Sequence, residues 1–291
     1  MFRPLFKMWN VTAPVPLSRV IMRHLGGYPL LFALQWTLIL SLAGCALVPK
    51  PAVRQSPPPE TVFQVSTINA LLEGLYDGEM TVGQLRSHGD LGIGTFDGLD
   101  GEMVLVDGKV YRVRADGRAT PVADEEKSPF AAVAFFTPGQ TKALRQVQSF
   151  TELKGELDKE LVNRNIFYMF RIDGTFSYVQ TRSVPRQSKP YPPLVKVTAH
   201  QPTFEFRDVK GTLVGFWLPD FIGGINVPGY HLHFITADRQ AGGHLLECRL
   251  QDGKVQVDSS GDLRMVLPAN NDFGRADLGR DRKKEVEKVE Q

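Results

Sequence analysis

Cysteine and histidine are the scarce residues of this chain, with two cysteines, Cys45 and Cys248, and six histidines among 291 residues. Two thiols build no disulfide scaffold and supply no C-x-x-C pairs for a structural zinc site. Net charge is scarce too. The 34 Lys and Arg against 32 Asp and Glu leave a formal +2, too little to mark a nucleic-acid surface. The sequence has no H-E-x-x-H helix motif of the metallopeptidases, and no Asp or Glu before residue 45.

The missing acids define the N-terminus. Arg3, Lys7, Arg19 and Arg23 precede an apolar run over residues 28–43 that ends in Leu42-Ala43-Gly44-Cys45. A basic region, an apolar region and a small-residue cleavage site form an export signal rather than part of a fold. The last four residues resemble a bacterial lipobox. That resemblance implies a signal over residues 1–45, lipidation of Cys45 and, with Ala46 following, an outer-membrane anchor on the periplasmic side. The stretch before Met22 is longer than such a signal needs, so Met22 is the expected start. A proline-rich tether over residues 46–60 follows, unable to form helix or central strand. Losing residues 1–44 leaves 30 basic against 32 acidic residues, and a lipidated Cys45 leaves Cys248 without a disulfide partner.

Residues 61–291 read as the folded part. Strands are expected at 62–65, 131–136, 203–207, 212–218 and 229–234. Helices are expected at 68–78 with Ser66 as N-cap, at 81–86 and at 150–161. Asp-Gly pairs predict three hairpins: 102–113 around Asp107-Gly108, 166–182 around Asp173-Gly174, and 244–257 around Asp252-Gly253. Asp107-Gly108-Lys109-Val110 recurs as Asp252-Gly253-Lys254-Val255, an offset that also aligns Glu102 with Glu247. The expected class is α+β, with mixed β-sheets, few helices and an internal duplication of a β-α-β-rich half, over residues 61–185 and 186–291.

Histidine, though rare, is concentrated. His231, His233 and His244 fall within fourteen residues. In a strand His231 and His233 point to one face, and a turn over residues 238–243 brings His244 opposite them. Three neutral nitrogens suit a divalent metal with one open position, the pattern of a catalytic rather than a structural zinc site. Cys248 lies four residues further on and reads as a buried small hydrophobe.

Two stretches together resemble the alpha-acetolactate decarboxylase family. They are Tyr76-Asp77-Gly78-Glu79-Met80-Thr81 through Gly94-Thr95-Phe96-Asp97-Gly98-Leu99-Asp100-Gly101-Glu102, and Gly229-Tyr230-His231-Leu232-His233-Phe234 with Gly243-His244. The resemblance extends over residues 61–291. It implies a homodimeric zinc enzyme of duplicated α+β fold that converts 2-acetolactate to acetoin and CO2. On the matching positions it implies His231, His233 and His244 as ligands of Zn2+, Glu102 and Arg182 facing the substrate, and Thr95 close by. It also implies a glutamate from the tail, for which Glu290 is chosen over Glu285 and Glu287. The lipoprotein-like N-terminus departs from most of the family.

The residue types suit that chemistry. Losing CO2 from a 2-hydroxy-3-oxo acid leaves an electron pair on C2, and a divalent metal chelating the hydroxyl and carbonyl draws that charge off as a Lewis acid. Arg182 offers a planar fork for a carboxylate, on a strand face shared with Phe176, Tyr178 and Gln180. Glu102 would manage the proton. Taken singly, Glu102 reads as an exposed edge charge, Arg182 as a surface ion-pair partner and the tail as a solvated helix. Two other functions compete. The His-Leu-His and Gly-Gly-His-Leu pattern also resembles the DNA-associated domain of plant AT-hook proteins and its prokaryotic relatives, a shorter module without the Leu-Asp-Gly-Glu segment. A three-histidine site beside a glutamate also suits a zinc hydrolase.

Overall fold

Period-two alternation of apolar and polar residues makes strand the commonest element among the described residues. The computed structural model describes residues 61–290. The export signal, the lipobox with Cys45 and the tether lie outside the described residues. In chain order the strands are β1 (Thr61–Val65), β2 (Met80–Thr81), β3 (Leu91–Thr95), β4 (Glu102–Val106), β5 (Lys109–Val113), β6 (Ala119–Pro121) and β7 (Lys127–Ser128). They continue with β8 (Ala131–Ala134), β9 (Gln140–Val147), β10 (Phe167–Arg182), β11 (Thr203–Leu218), β12 (Gly229–Thr236), β13 (Gly242–Ser260) and β14 (Asp262–Val266). The helices are short: α1 (Ile68–Glu73), α2 (Val82–Arg86), α3 (Phe150–Leu157), α4 (Leu194–Thr198), α5 (Asn271–Arg275) and α6 (Lys283–Glu290). This is the expected α+β class.

The first sheet has the order β14-β1-β8-β3-β4-β5-β6 and is mixed, because β1 pairs parallel with β14 and antiparallel with β8. The second has the order β10-β11-β12-β13-β9, and β13 also pairs with β10, so four strands close on themselves. Phe170, Phe176, Leu213, Leu232 and Phe234 pack on the inner side of that closed sheet. Val104, Met169, Val214, Phe216 and Ile235 fill the layer between the two sheets. Each such side chain contributes about 1.5–3 kcal/mol when fully buried, and a one-residue slip would turn every one to the wrong face. The register of β12 is thereby fixed. Leu232 and Phe234 face inward, while His231 and His233 face the first sheet.

Two of the three expected hairpins are absent. Asp107-Gly108 is a genuine primed turn, with both residues left-handed at φ 54° and 69°, and it joins β4 to β5. Asp173-Gly174 and Asp252-Gly253 instead lie inside the continuous strands β10 and β13, of 16 and 19 residues. The separate strands expected at 203–207 and 212–218 are likewise one strand, β11, of 16 residues. Packing explains these glycines. Gly174 stands opposite Gly211 on β11 and Gly253 on β13, and a side chain at Gly211 would collide with the Phe234 ring. The recurring Asp-Gly-Lys-Val therefore pairs a turn with a strand interior. Glu247, which that recurrence aligns with Glu102, accepts from the Phe150 amide at 2.5 Å and so caps α3. One extra residue in β10, Ser177, which has no partner on β13, breaks the single face expected to run from Phe176 to Arg182, so that Phe176 and Val179 both pack in the inner core.

Helix ends also differ. Thr67, not Ser66, caps α1 by accepting from the Ala70 amide at 3.1 Å, because Ser66 is left-handed at φ 63°. That helix stops at Gly74, at φ 93°, rather than near residue 78. The α3 helix proper ends at Leu157, and one 3-10 turn over Asp158–Glu160 continues it.

Candidate metal centre and active site

Strand pairing assembles the three imidazoles. His233 and His244 are directly opposite on β12 and β13, and His231 lies two residues away on the same face. Their ring centroids are 4.9–5.3 Å apart, and one nitrogen from each falls within 4.8 Å of the others. All three are buried. Burial disfavours the imidazolium: it holds His231 down to about 3 and His233 and His244 well below the usual range, with the Arg182 cation acting in the same direction. Neutral imidazoles are the form that binds metal.

The first sheet orients one ring. His233 Nδ1 lies 2.7 Å from the Met103 carbonyl on β4. A carbonyl only accepts, so Nδ1 carries the proton and Nε2 keeps its lone pair for a metal. Glu102, the residue before Met103, brings Oε2 to 3.7 Å from that Nε2. Arg182 ends β10 opposite His244. Its Nη1 donates to Gln201 Oε1 at 2.9 Å and lies 3.6 Å from Glu102 Oε1, while Nη2 donates to the Val289 carbonyl at 2.5 Å.

The tail completes the group. In α6, Val286 and Val289 are buried, and Glu290, four residues beyond Val286, shares their face. Its Oε2 lies 3.5 Å from His231 Nε2 and 3.8 Å from His244 Nε2. With the imidazoles neutral these approaches are not ion pairs. Glu285 pairs with Arg282 instead, and Glu287 lines a groove outside the site. Burial pushes both site carboxyls up to about 7, against the opposing pull of Arg182.

The three imidazoles, Glu102, Arg182 and Glu290 line one cavity of about 40 Å3, walled by Ile68, Leu71, Leu99, Phe130, Val184 and Leu194. Thr95 lines it as well, but its hydroxyl is committed to the Gly101 carbonyl at 2.7 Å. A larger groove of about 1070 Å3, lined in α6 by Lys283, Val286, Glu287 and Glu290, shares only Glu290 with the site cavity. Among the described residues, seven buried side-chain polar atoms have no hydrogen-bond partner. Four of them, His231 Nδ1, His233 Nε2, Arg182 Nε and Glu290 Oε2, belong to residues of this one cavity. Unpartnered buried polar atoms cost about 1–3 kcal/mol each, so their concentration here fits a site built for a metal and an anionic ligand.

The structure thus brings together every expected site residue among the described ones. His88 and His200, given no role from sequence, line no part of this cavity. Gln201 and the Val289 carbonyl were not anticipated. No spacing points to Gln201, whereas the Val286, Val289, Glu290 stripe was available to fix the tail register.

The sequence model of the alpha-acetolactate decarboxylase family matches residues 62–280. The alpha-acetolactate decarboxylase of Methanosarcina mazei is 49% identical over 231 residues, covering 79% of this chain and 80% of that protein. The Bacillus subtilis protein of the same name is 43% identical over 234 residues, covering 80% of this chain and 92% of its own length. A crystal structure of the Bacillus subtilis alpha-acetolactate decarboxylase superposes with a TM-score of 0.77, covering 79% of this chain and 99% of that one. The chain belongs to the alpha-acetolactate decarboxylase family.

Proposed function

We propose that this protein is a zinc-dependent decarboxylase that converts 2-acetolactate to acetoin and CO2. One observation carries the reading: three neutral, buried imidazoles share a cavity with a buried arginine and two buried carboxyls. His231, His233 and His244 would hold the ion. A zinc ion bound there supplies Lewis-acid stabilisation of negative charge on the substrate's hydroxyl and carbonyl oxygens.

The chain's own residues do the rest. Arg182 receives the substrate carboxylate, with Gln201 and the Val289 carbonyl fixing the plane of its fork. The C1–C2 bond breaks, CO2 leaves, and the electron pair moves from C2 toward the neighbouring carbonyl. Glu102, held within reach of both Arg182 and His233, delivers its own proton to C2 from one face and takes another from solvent before the next turnover. Glu290 closes the cavity beside the imidazoles, and the apolar wall keeps water from competing for that proton. Thr95 contributes by tying down the Gly101 carbonyl beside Glu102.

The N-terminal order of basic, apolar and lipobox residues supports an exported protein held on the periplasmic side of the outer membrane by a lipid on Cys45. The family supports a homodimer as the working unit. The reaction is tested by following racemic acetolactate with paired acetoin and CO2 measurements. One acetoin per CO2 is expected. Turnover of esters or peptides without acetoin would move the protein to the hydrolase reading.

A further inference from the structure

Glu102 is held at the end of an unusual connection. Thr95 and Glu102 close the β3–β4 ladder as its last pair, and the six residues between them include three in the left-handed region. These are Gly98 at φ 69°, Leu99 at φ 58° and Gly101 at φ 91°. Leu99 is buried and is not a glycine, so its backbone persists only because its surroundings hold it. A side chain at Gly101 would collide with the Val113 carbonyl.

Thr95 holds the Gly101 carbonyl and Gly98 is bonded to the Tyr76 carbonyl and the Gln187 amide, and Arg112 is the buried charged group that grips the connection. It stands on β5 directly opposite Met103, and its Nη1 donates to Asp100 Oδ2 at 2.9 Å. Its guanidinium also lies 4.3 Å over the ring of Phe96, while Nη2 reaches Glu126 Oε2 at 2.5 Å. One buried cation therefore grips both ends of the loop, at Phe96 and at Asp100. Arg114 and Arg186 approach the same carboxylate at 3.5 and 3.8 Å, but their side chains are about half exposed, so Arg112 dominates. Asp100 is two residues from Glu102, and Arg112 is the ladder partner of Met103, whose carbonyl orients His233.

We propose that the buried Asp100–Arg112 pair positions both Glu102 and the His233-orienting carbonyl for the reaction. Neither residue lines the cavity, so both are positioning residues. The proposal rests on the function proposed above only for its kinetic consequence. A displacement of about 1 Å at a reacting group can cost on the order of 100-fold in rate, and loss of an outer partner of a metal ligand about 10- to 100-fold in metal affinity.

The test compares the intact protein with Asp100→Asn, which keeps shape and loses charge, and with Arg112→Lys, which keeps charge and loses the fork and the stacking. Three quantities are read: kcat and KM on acetolactate, zinc affinity by chelator competition, and amide hydrogen exchange. In both variants kcat should fall about 10- to 100-fold with KM within threefold, and zinc affinity should fall about tenfold. Exchange should accelerate over residues 99–103 and stay unchanged in β10 and β13. The double variant should lose no more than the worse single one, since both break one clamp. Unchanged kcat, or a uniform rise in exchange across the molecule, would overturn the proposal. If the unsubstituted protein makes no acetoin, the reaction assignment fails by itself, and exchange with zinc affinity still decides the clamp.

Discussion

Replacing Arg182 with methionine removes a buried guanidinium that ties three parts of the site together, while filling most of its volume. The side chain is 5% exposed and donates to Gln201 Oε1 and to the Val289 carbonyl. Hydrogen bonds to charged groups contribute about 1.5–3 kcal/mol each. Losing the bond to Val289 should therefore raise opening of the last turn of α6 roughly 10- to 150-fold, visible as faster hydrogen exchange at residues 286–290. For catalysis the missing partner is the substrate carboxylate. Truncating one member of a buried, hydrogen-bonded charge pair costs about 2–5 kcal/mol, or roughly 30- to 5,000-fold in kcat/KM. Arg182 also opposes the upward push of burial on Glu102, so its loss leaves that carboxyl protonated to still higher pH. None of the three imidazoles is hydrogen-bonded to Arg182, so zinc content should stay at one equivalent. A kcat/KM within threefold of the unsubstituted protein, measured by acetoin release, would refute the placement of Arg182 against the substrate.

His233→Ala should abolish zinc binding and acetoin formation together. It should also lower stability by about 0.5–1.5 kcal/mol through loss of the buried hydrogen bond to the Met103 carbonyl; denaturant midpoints and metal analysis check both. Cys248 is fully buried, and burial with the neighbouring Glu247 charge pushes its thiol up to about 12. It should be inert to thiol reagents at pH 8.5 in the native protein and react rapidly once unfolded. The linked effect has a definite sign. The folded state resists deprotonation, so this contribution to stability is complete below the ordinary thiol range and is lost as pH rises from about 9 toward 12. Stability that climbs through that window in a thermal series would contradict it.

The three-histidine cluster was legible because its geometry is local. A His-x-His in a strand shares a face by period alone, and a short turn forces His244 opposite. The same local logic failed at Asp173-Gly174 and Asp252-Gly253. There the glycines serve contacts between strands far apart in sequence, as at the Gly174–Gly211 and Gly174–Gly253 crossings. A primed turn and a glycine crossing carry the same dipeptide, and only the tertiary structure separates them. Glu102 and Arg182 read singly as surface charges, yet the layer between the sheets buries both. Their burial depends on β4, β10 and α6 meeting, which no window of sequence contains. The left-handed Leu99 and its Arg112 clamp had no signal at all, since nothing about a leucine before Asp-Gly announces a positive φ.

The central claim is that the three-histidine cavity binds a metal needed for decarboxylation. Its most direct test is acetoin release from racemic acetolactate by the protein as purified, stripped by chelator, and stripped then given zinc. Activity lost on stripping and restored by one equivalent of zinc is the expected result. Undiminished activity in protein shown to be metal-free, or stoichiometric zinc binding with no acetoin from any sample, would contradict it.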